Sequence, residues 1–202
     1  MKIYDTKTAP SPRRVRIFLA EKGIPMEYVQ VDLQKGENLS PEMRAKNPVG
    51  KIPVLELDDG TCISEGASIC RYFEEIQPEP CLMGSTPLEK AQIDMWHRQV
   101  ELYFFGQVGM CFQHSTGYFK DRMTPIKEYG VVAGKNAAGF LKVLEKRLGE
   151  SEYIAGDRYS IADITALCAL DFARVVDIKL TEKHPNLKRW YAAVSSRPSA
   201  KA

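Results

Sequence analysis

Over the first 77 residues the apolar positions switch between a spacing of two and a spacing near 3.6, the signatures of strand and helix. "KIYD" (2–5) predicts a short strand, and residues 12–22 predict a helix with Val15, Phe18 and Leu19 on one face. Ser11 reads as the cap of that helix, Pro12 as its first residue and Gly23 as its stop. "MEYVQVDL" (26–33) alternates and predicts a second strand. "SPEMRAKNP" (40–48) predicts a short helix with Ser40 as cap and Pro41 at its first position, ending before Pro48. "IPVLELDDGTCI" (52–63) predicts a hairpin turning at Asp58-Asp59-Gly60. "SEGASICRYFEEI" (64–76) predicts a helix with Ile69, Tyr72, Phe73 and Ile76 inward. The order is βαβαββα, and a parallel βαβ unit followed by an antiparallel hairpin predicts a mixed sheet with helices on its faces.

The pattern changes after that. "QPEPCLMGSTP" (77–87) has no period and three prolines, as a linker does. Everything beyond reads as helix. One long helix runs from Leu88 to about Gln113, loosened by Gly106 and Gly109. Another covers 126–148, with Phe140, Leu141, Leu144 and Leu148 as its inner stripe. "SIADITALCALDFARVV" (160–176) is apolar nearly all round and so predicts a helix buried on every side. "NLKRWYAAVSS" (186–196) predicts a final amphipathic helix, and Trp96 and Trp190 are expected in the core. The expected organisation is an α/β domain over 1–77, a linker over 78–87 and an all-α domain over 88–202.

Composition removes several classes of function. A net charge of +2 over 202 residues lacks the basic footprint of a nucleic-acid binder. Asp163, Asp171 and Arg174 interrupt the most apolar stretch, so no membrane span is expected. Five cysteines, an odd number without a CxxC pair, support neither a zinc site nor a disulfide framework. "MKIYDTKTAP" has no apolar signal core, and a cytoplasmic setting is the expectation.

Three stretches can carry chemistry. In "NPVGKIPVL" (47–55), Pro53 is either a strand-edge proline or the second residue of a cis Ile52–Pro53 bond. The latter turn would present the Ile52 backbone N–H and C=O to a peptide ligand. In "SEGASI" (64–69), Glu65 is either part of a helix start that complements the helix dipole or the acceptor for a zwitterion's ammonium. In the second case the helix N–H groups hold the ligand's carboxylate. In "YIAGDRYSIADI" (153–164), Ser160 and Asp163 form a capping box flanked by Tyr159 and Ile164 as a hydrophobic staple.

The order and spacing of "NPVGKIPVL", "SEGASICRYFEE", a proline-rich linker and "IAGDRYSIADITA" resemble the cytosolic glutathione S-transferase family over essentially the whole chain. The nearest pattern is that of its bacterial members with a serine- or nu-like N-terminal motif. The resemblance implies a thioredoxin-like N-terminal domain and a helical C-terminal domain, usually in a homodimer. Glutathione would be co-substrate, the second substrate a small apolar electrophile, and no metal would be needed. It makes Pro53 the family's cis-proline, Ile52 the backbone partner of the cysteinyl portion, and Glu65 the acceptor of the γ-glutamyl group. Gly66 stands where the family usually has serine, leaving the ligand's carboxylate to backbone N–H groups or Ser68. Lys51 and Lys35 are candidates for the glycyl carboxylate.

For thiol activation the resemblance points to Ser11, with Thr8 second. Ala9 occupies the position where many serine- and cysteine-type members carry their catalytic group, and Ser11 the position of the nu-like asparagine. A hydroxyl and a helix N-terminus both favour the thiolate over a thiol of reference pKa about 8.5; Arg13, Arg14 and Arg16 add positive field. Tyr103, Phe104, Gln107 and Met110 are candidates for the second-substrate pocket or ordinary helix packing. The implied activity is conjugation. Glutathione-dependent peroxide or disulfide reduction, or glutathione binding without turnover, are the alternatives.

Overall fold

The computed structural model describes all 202 residues, which divide into two compact units, Met1–Leu82 with Pro198–Ala202, and Met83–Arg197. The first contains β1 (Lys2–Asp5), α1 (Pro10–Glu21), β2 (Glu27–Gln30), α2 (Pro41–Lys46), β3 (Val54–Glu56), β4 (Cys62–Ser64) and α3 (Gly66–Ile76). This is the βαβαββα order read from periodicity. The sheet order is β2-β1-β3-β4, with β1 and β2 parallel and the remaining pairs antiparallel. Gly60 closes the β3–β4 hairpin at φ +86°, a conformation glycine adopts without steric cost.

Alternation along the strands assigns the two faces. Tyr4 and Val54 are partners in register and form one cluster with Val31 and Met43, so α2 covers that face. Ile3 and Leu55, also partners, are fully buried on the other face, where α3 packs with Ile69 and Phe73 inward. Ile76, expected inward, is exposed because it sits at the last position of α3. The Tyr4 hydroxyl donates to Glu56 Oε2 (2.8 Å), and Lys46 Nζ lies 2.7 Å from the same oxygen. Lys46 first and Tyr4 second hold the Glu56 carboxyl down at about 2.

Serine caps α2 as expected: Ser40 Oγ accepts the Met43 N–H at 3.2 Å. Ser40→Ala is expected to lower stability by about 1 kcal/mol, measured as a shift of the urea midpoint at constant m-value. Where α3 ends, Lys22 and Glu74 form a buried ion pair at 2.8 Å. Lys22 Nζ also donates to Gln77 O (2.7 Å) and Pro80 O (2.9 Å), which ties down the start of the linker. The last residues return to α1, where Arg13 Nη2 donates to Ala200 O at 2.9 Å and Ser199 Oγ donates to Glu21. They belong to the first unit rather than to the helical half in which the whole of 88–202 was expected.

The second unit holds α4 (Pro87–Gln99), a π-helical stretch (Val100–Phe105), α5 (Gly106–Thr116), α6 (Lys127–Glu150), α7 (Ile161–Ala173) and α8 (Pro185–Ser195). The long helix expected from Leu88 is thus a run of three segments, widened before Gly106. The stripe of α6 and nearly every side of α7 are buried, as their patterns require. Trp190 is in the core; Trp96 is not, and lies half-buried with the Arg147 guanidinium 5.1 Å from its ring. No helix is long and apolar enough to cross a membrane.

Candidate glutathione site

Three short segments meet at one end of the sheet. Tyr4, Val54 and Ser64 lie in one row of the β1–β3–β4 ladder. That row brings together the loop leaving β1, the turn entering β3 and the start of α3. Arg14 confirms the closeness of the two helices, since its Nη2 lies 3.3 Å from where a Cβ on Gly66 would stand.

The first segment differs from the sequence expectation. Helix α1 begins two residues early, with Ala9 as its N-cap and no side-chain cap, so Ser11 is the second helical residue rather than the cap. The spacing misled because Ala9-Pro10 and Ser11-Pro12 both suit a cap followed by proline. The consequence is chemical. Pro10 and Pro12 have no N–H, and Arg13 N–H reaches Ala9 O at 3.4 Å. Ser11 alone in this turn keeps an N–H without a partner, and its half-buried hydroxyl is also unused. No acidic residue occupies the turn to offset the helix dipole.

The arginines are not a diffuse positive field. Arg16 Nη1 grips Asp5 Oδ1 (2.7 Å) and Oδ2 (2.9 Å), while its Nη2 donates to Lys7 O (2.9 Å). It therefore fixes the loop that delivers Ser11. Arg13 is engaged with Ala200, and Arg14 is buried. Thr8 is exposed in the same loop.

In the second segment the Ile52–Pro53 bond is cis. Two asparagines organise the approach: Asn38 Nδ2 donates to Gly50 O (2.7 Å) and Asn47 Nδ2 to Lys51 O (2.8 Å). The Ile52 N–H and C=O make no bond within the chain, which leaves one donor and one acceptor for an extended peptide. The asparagine clamps were missed in the sequence, although "KNP" at the end of α2 carried half of the signal. Lys51 is exposed beside Ile52, whereas Lys35 sits on the loop after β2 with its ammonium 3.5 Å from Asp32.

The third segment contains Glu65, the N-cap of α3, at φ +70° and ψ +123°. A non-glycine residue there is strained by about 1–3 kcal/mol and persists only when its surroundings hold it. Its carboxylate is exposed, makes no cap bond and has no partner in the chain. The first α-helical bond of α3 runs from Ile69 N–H to Glu65 O, so the Gly66, Ala67 and Ser68 N–H groups remain as donors. Gly66 now has a physical reason: a larger residue would press on the Arg14 guanidinium. The segment thus offers an anionic acceptor beside a cluster of N–H donors, suited to an α-amino acid end.

The four residues expected to line a second-substrate pocket lie in the other unit. Tyr103 is 57% exposed and Met110 half-buried, and Gln107 Oε1 accepts from Asn136 Nδ2 at 3.3 Å. Phe104 is 1% exposed and stacked with Phe140, so it serves the core and cannot touch a substrate. No cluster of histidine, cysteine or carboxylate side chains suited to a metal ion occurs.

Known proteins resemble this chain over its whole length. Residues 3–81 match the model of the glutathione S-transferase N-terminal domain, and residues 114–198 that of the C-terminal domain. The chain is 40% identical over 205 residues to Glutathione S-transferase 2 of Saccharomyces cerevisiae, covering 100% of this chain and 88% of that one. The crystal structure of Gtt2 from Saccharomyces cerevisiae superimposes with a TM-score of 0.96, covering 100% of this chain and 99% of the other at 40% identity. A glutathione S-transferase of class Gtt2 from Vibrio parahaemolyticus gives 0.89 at the same identity, covering 100% and 96%. The fold is that of a glutathione transferase, and so is the enzyme. The chain belongs to the cytosolic glutathione S-transferase family.

Proposed function

We propose that this enzyme joins the thiolate of glutathione to small apolar electrophiles, with Ser11 as the activating residue. The observation that carries the proposal is that Ser11 keeps both its N–H and its hydroxyl unused in a turn otherwise stripped of donors by Pro10 and Pro12. Glutathione would pair through its cysteinyl backbone with Ile52 beside Pro53. Its γ-glutamyl ammonium would meet Glu65, with its carboxylate on the N–H groups that begin at Gly66. The glycyl carboxylate would face Lys51; Lys35 is the weaker partner because Asp32 already holds it. Ser11 then donates to the sulfur, and the thiol proton passes to solvent. The sulfur lone pair forms a C–S bond as the leaving group departs with its electron pair. Tyr103, Gln107 and Met110 are assigned to the electrophile.

We further assign the enzyme to a homodimer in a reducing cytoplasm. The five cysteines, none of them in a disulfide, support the compartment. Exposed Leu88, Met95 and Leu102, seven residues apart, support an apolar contact face.

The test of Ser11 is a thiolate titration. Ultraviolet absorbance of bound glutathione, followed against pH, is expected to give a thiol pKa below the free value of about 8.5. Losing one charge-assisted hydrogen bond, about 1.5 kcal/mol, raises it by about one unit in Ser11→Ala. An unchanged pKa in the variant would move activation to Thr8 or to the helix end alone. Turnover of an organic hydroperoxide but not of a halogenated arene would replace conjugation by reduction.

A further inference from the structure

Gln30 is the last residue of β2, an edge strand of the sheet, and is exposed. A glutamine in that place ordinarily spends its carboxamide on water. Here both halves of the group are committed within the chain. In the parallel β1–β2 ladder Gln30 is the register partner of Asp5, so the two side chains leave the sheet on one face. Gln30 Nε2 donates to Asp5 Oδ2 at 3.2 Å, and Gln30 Oε1 accepts the Lys7 N–H at 3.0 Å. A carboxamide supplies a donor and an acceptor from one planar group, which is what spanning a carboxylate and an amide N–H requires.

Arg16 makes the complementary contacts from α1. Its guanidinium takes the Asp5 carboxylate at 2.7 and 2.9 Å and donates to Lys7 O at 2.9 Å. Lys7 is therefore held at its N–H by Gln30 and at its C=O by Arg16, and both holders rest on the same carboxylate. That anchor is fixed: Asp5 is 1% exposed, and its own C=O accepts the Val31 N–H at 2.7 Å. Beyond Lys7 the chain turns at once. The Ala9 N–H reaches Thr6 O at 2.9 Å, and α1 opens at Pro10, one residue ahead of Ser11. A hydrogen bond to a forming thiolate weakens steeply with misalignment, so the placement of this turn governs the activation it can supply.

We propose that Gln30 is a positioning residue for thiol activation. Acting through Lys7 and Asp5, it holds the turn that carries Ser11 where the hydroxyl meets the glutathione sulfur. The role rests on Ser11 as the activating residue.

The test is Gln30→Met in the whole enzyme, alone and combined with Ser11→Ala. Methionine keeps the length of the side chain and removes both hydrogen bonds, and the exposed position should leave the urea midpoint unchanged. The thiol pKa of bound glutathione, read from thiolate absorbance, is expected to rise by about half a unit, which is about threefold in thiolate near pH 6.5. With chlorodinitrobenzene as electrophile, kcat/KM should fall by the same factor at that pH and converge on the native value above about pH 9, where both thiols are ionised. The KM for glutathione should stay within about twofold, since Gln30 touches none of the groups assigned to the ligand. In the Ser11→Ala chain, adding Gln30→Met should change nothing further. An unshifted thiol in Gln30→Met beside a shifted one in Ser11→Ala would overturn this proposal alone. So would a raised KM at constant kcat, or a Gln30→Met effect that persists in full without Ser11. An unshifted thiol in Ser11→Ala itself would remove the Ser11 reading, and this role with it.

Discussion

Asp163→Ala is expected to lower the stability of the helical unit by about 3–5 kcal/mol, the scale of removing one member of a buried charged network. The side chain is wholly buried and accepts four hydrogen bonds. Oδ1 takes the Ile154 N–H (3.0 Å) and the Trp190 indole N–H (2.8 Å), and Oδ2 takes the Ser160 N–H (3.0 Å) and hydroxyl (3.1 Å). Alanine would strand all four donors away from water, and an unsatisfied buried donor costs about 1–3 kcal/mol. The carboxylate thus does more than cap α7, since it also ties the preceding turn and α8 to that helix. Both tryptophans lie in this unit, so urea unfolding followed by indole fluorescence reads it directly. A loss under about 1 kcal/mol would mean that the four bonds are not worth their desolvation.

Acid should affect this group in an unusual direction. Burial raises the Asp163 carboxyl to about 6 against the pull of its hydrogen bonds, the Ile154 N–H being the strongest of them. A folded-state value above the unfolded one means the folded chain binds the extra proton. The contribution is full below about 4 and is lost as pH rises through about 6. Asp163→Asn removes the titration. The stability of the native chain relative to that variant should therefore grow by about 1 kcal/mol from pH 7 to pH 5. A flat difference would put the carboxyl back near its ordinary value.

The second large effect concerns the ligand. Glu65→Ala is expected to weaken glutathione binding by about 10- to 100-fold, the loss of a charge pair with the γ-glutamyl ammonium. Glu65→Gln should lose about tenfold, keeping the shape without the charge. Glu65→Gly separates backbone from side chain. Glycine adopts φ +70° freely, so this variant should gain about 1 kcal/mol of stability while losing affinity as the alanine variant does. Calorimetric titration with glutathione and thermal unfolding of the same samples provide both readings. Unchanged affinity in all three variants would remove Glu65 from the site.

What the chain revealed unaided was what short range decides. The element order, the Ser40 cap, the capping box at Ser160 and the inner stripe of α6 rest on residues within a turn or two of each other. Their spacing carries them. The motifs at Pro53 and Glu65 were legible for the same reason, since a proline at a strand start and an acid at a helix start are local signals. Only the tertiary structure decided the rest. Two equally good cap–proline pairs compete at α1, and the start at Pro10 belongs to a loop that Arg16 holds through Asp5 and Lys7. That shift turned Ser11 from a cap into the one residue of its turn with an unused amide and hydroxyl. Gly66 answers to Arg14 across 52 positions, Lys22 to Glu74 across another 52, and Trp96 to Arg147 across 51. Such pairs leave no periodicity in the sequence, because their geometry exists only after the helices have packed.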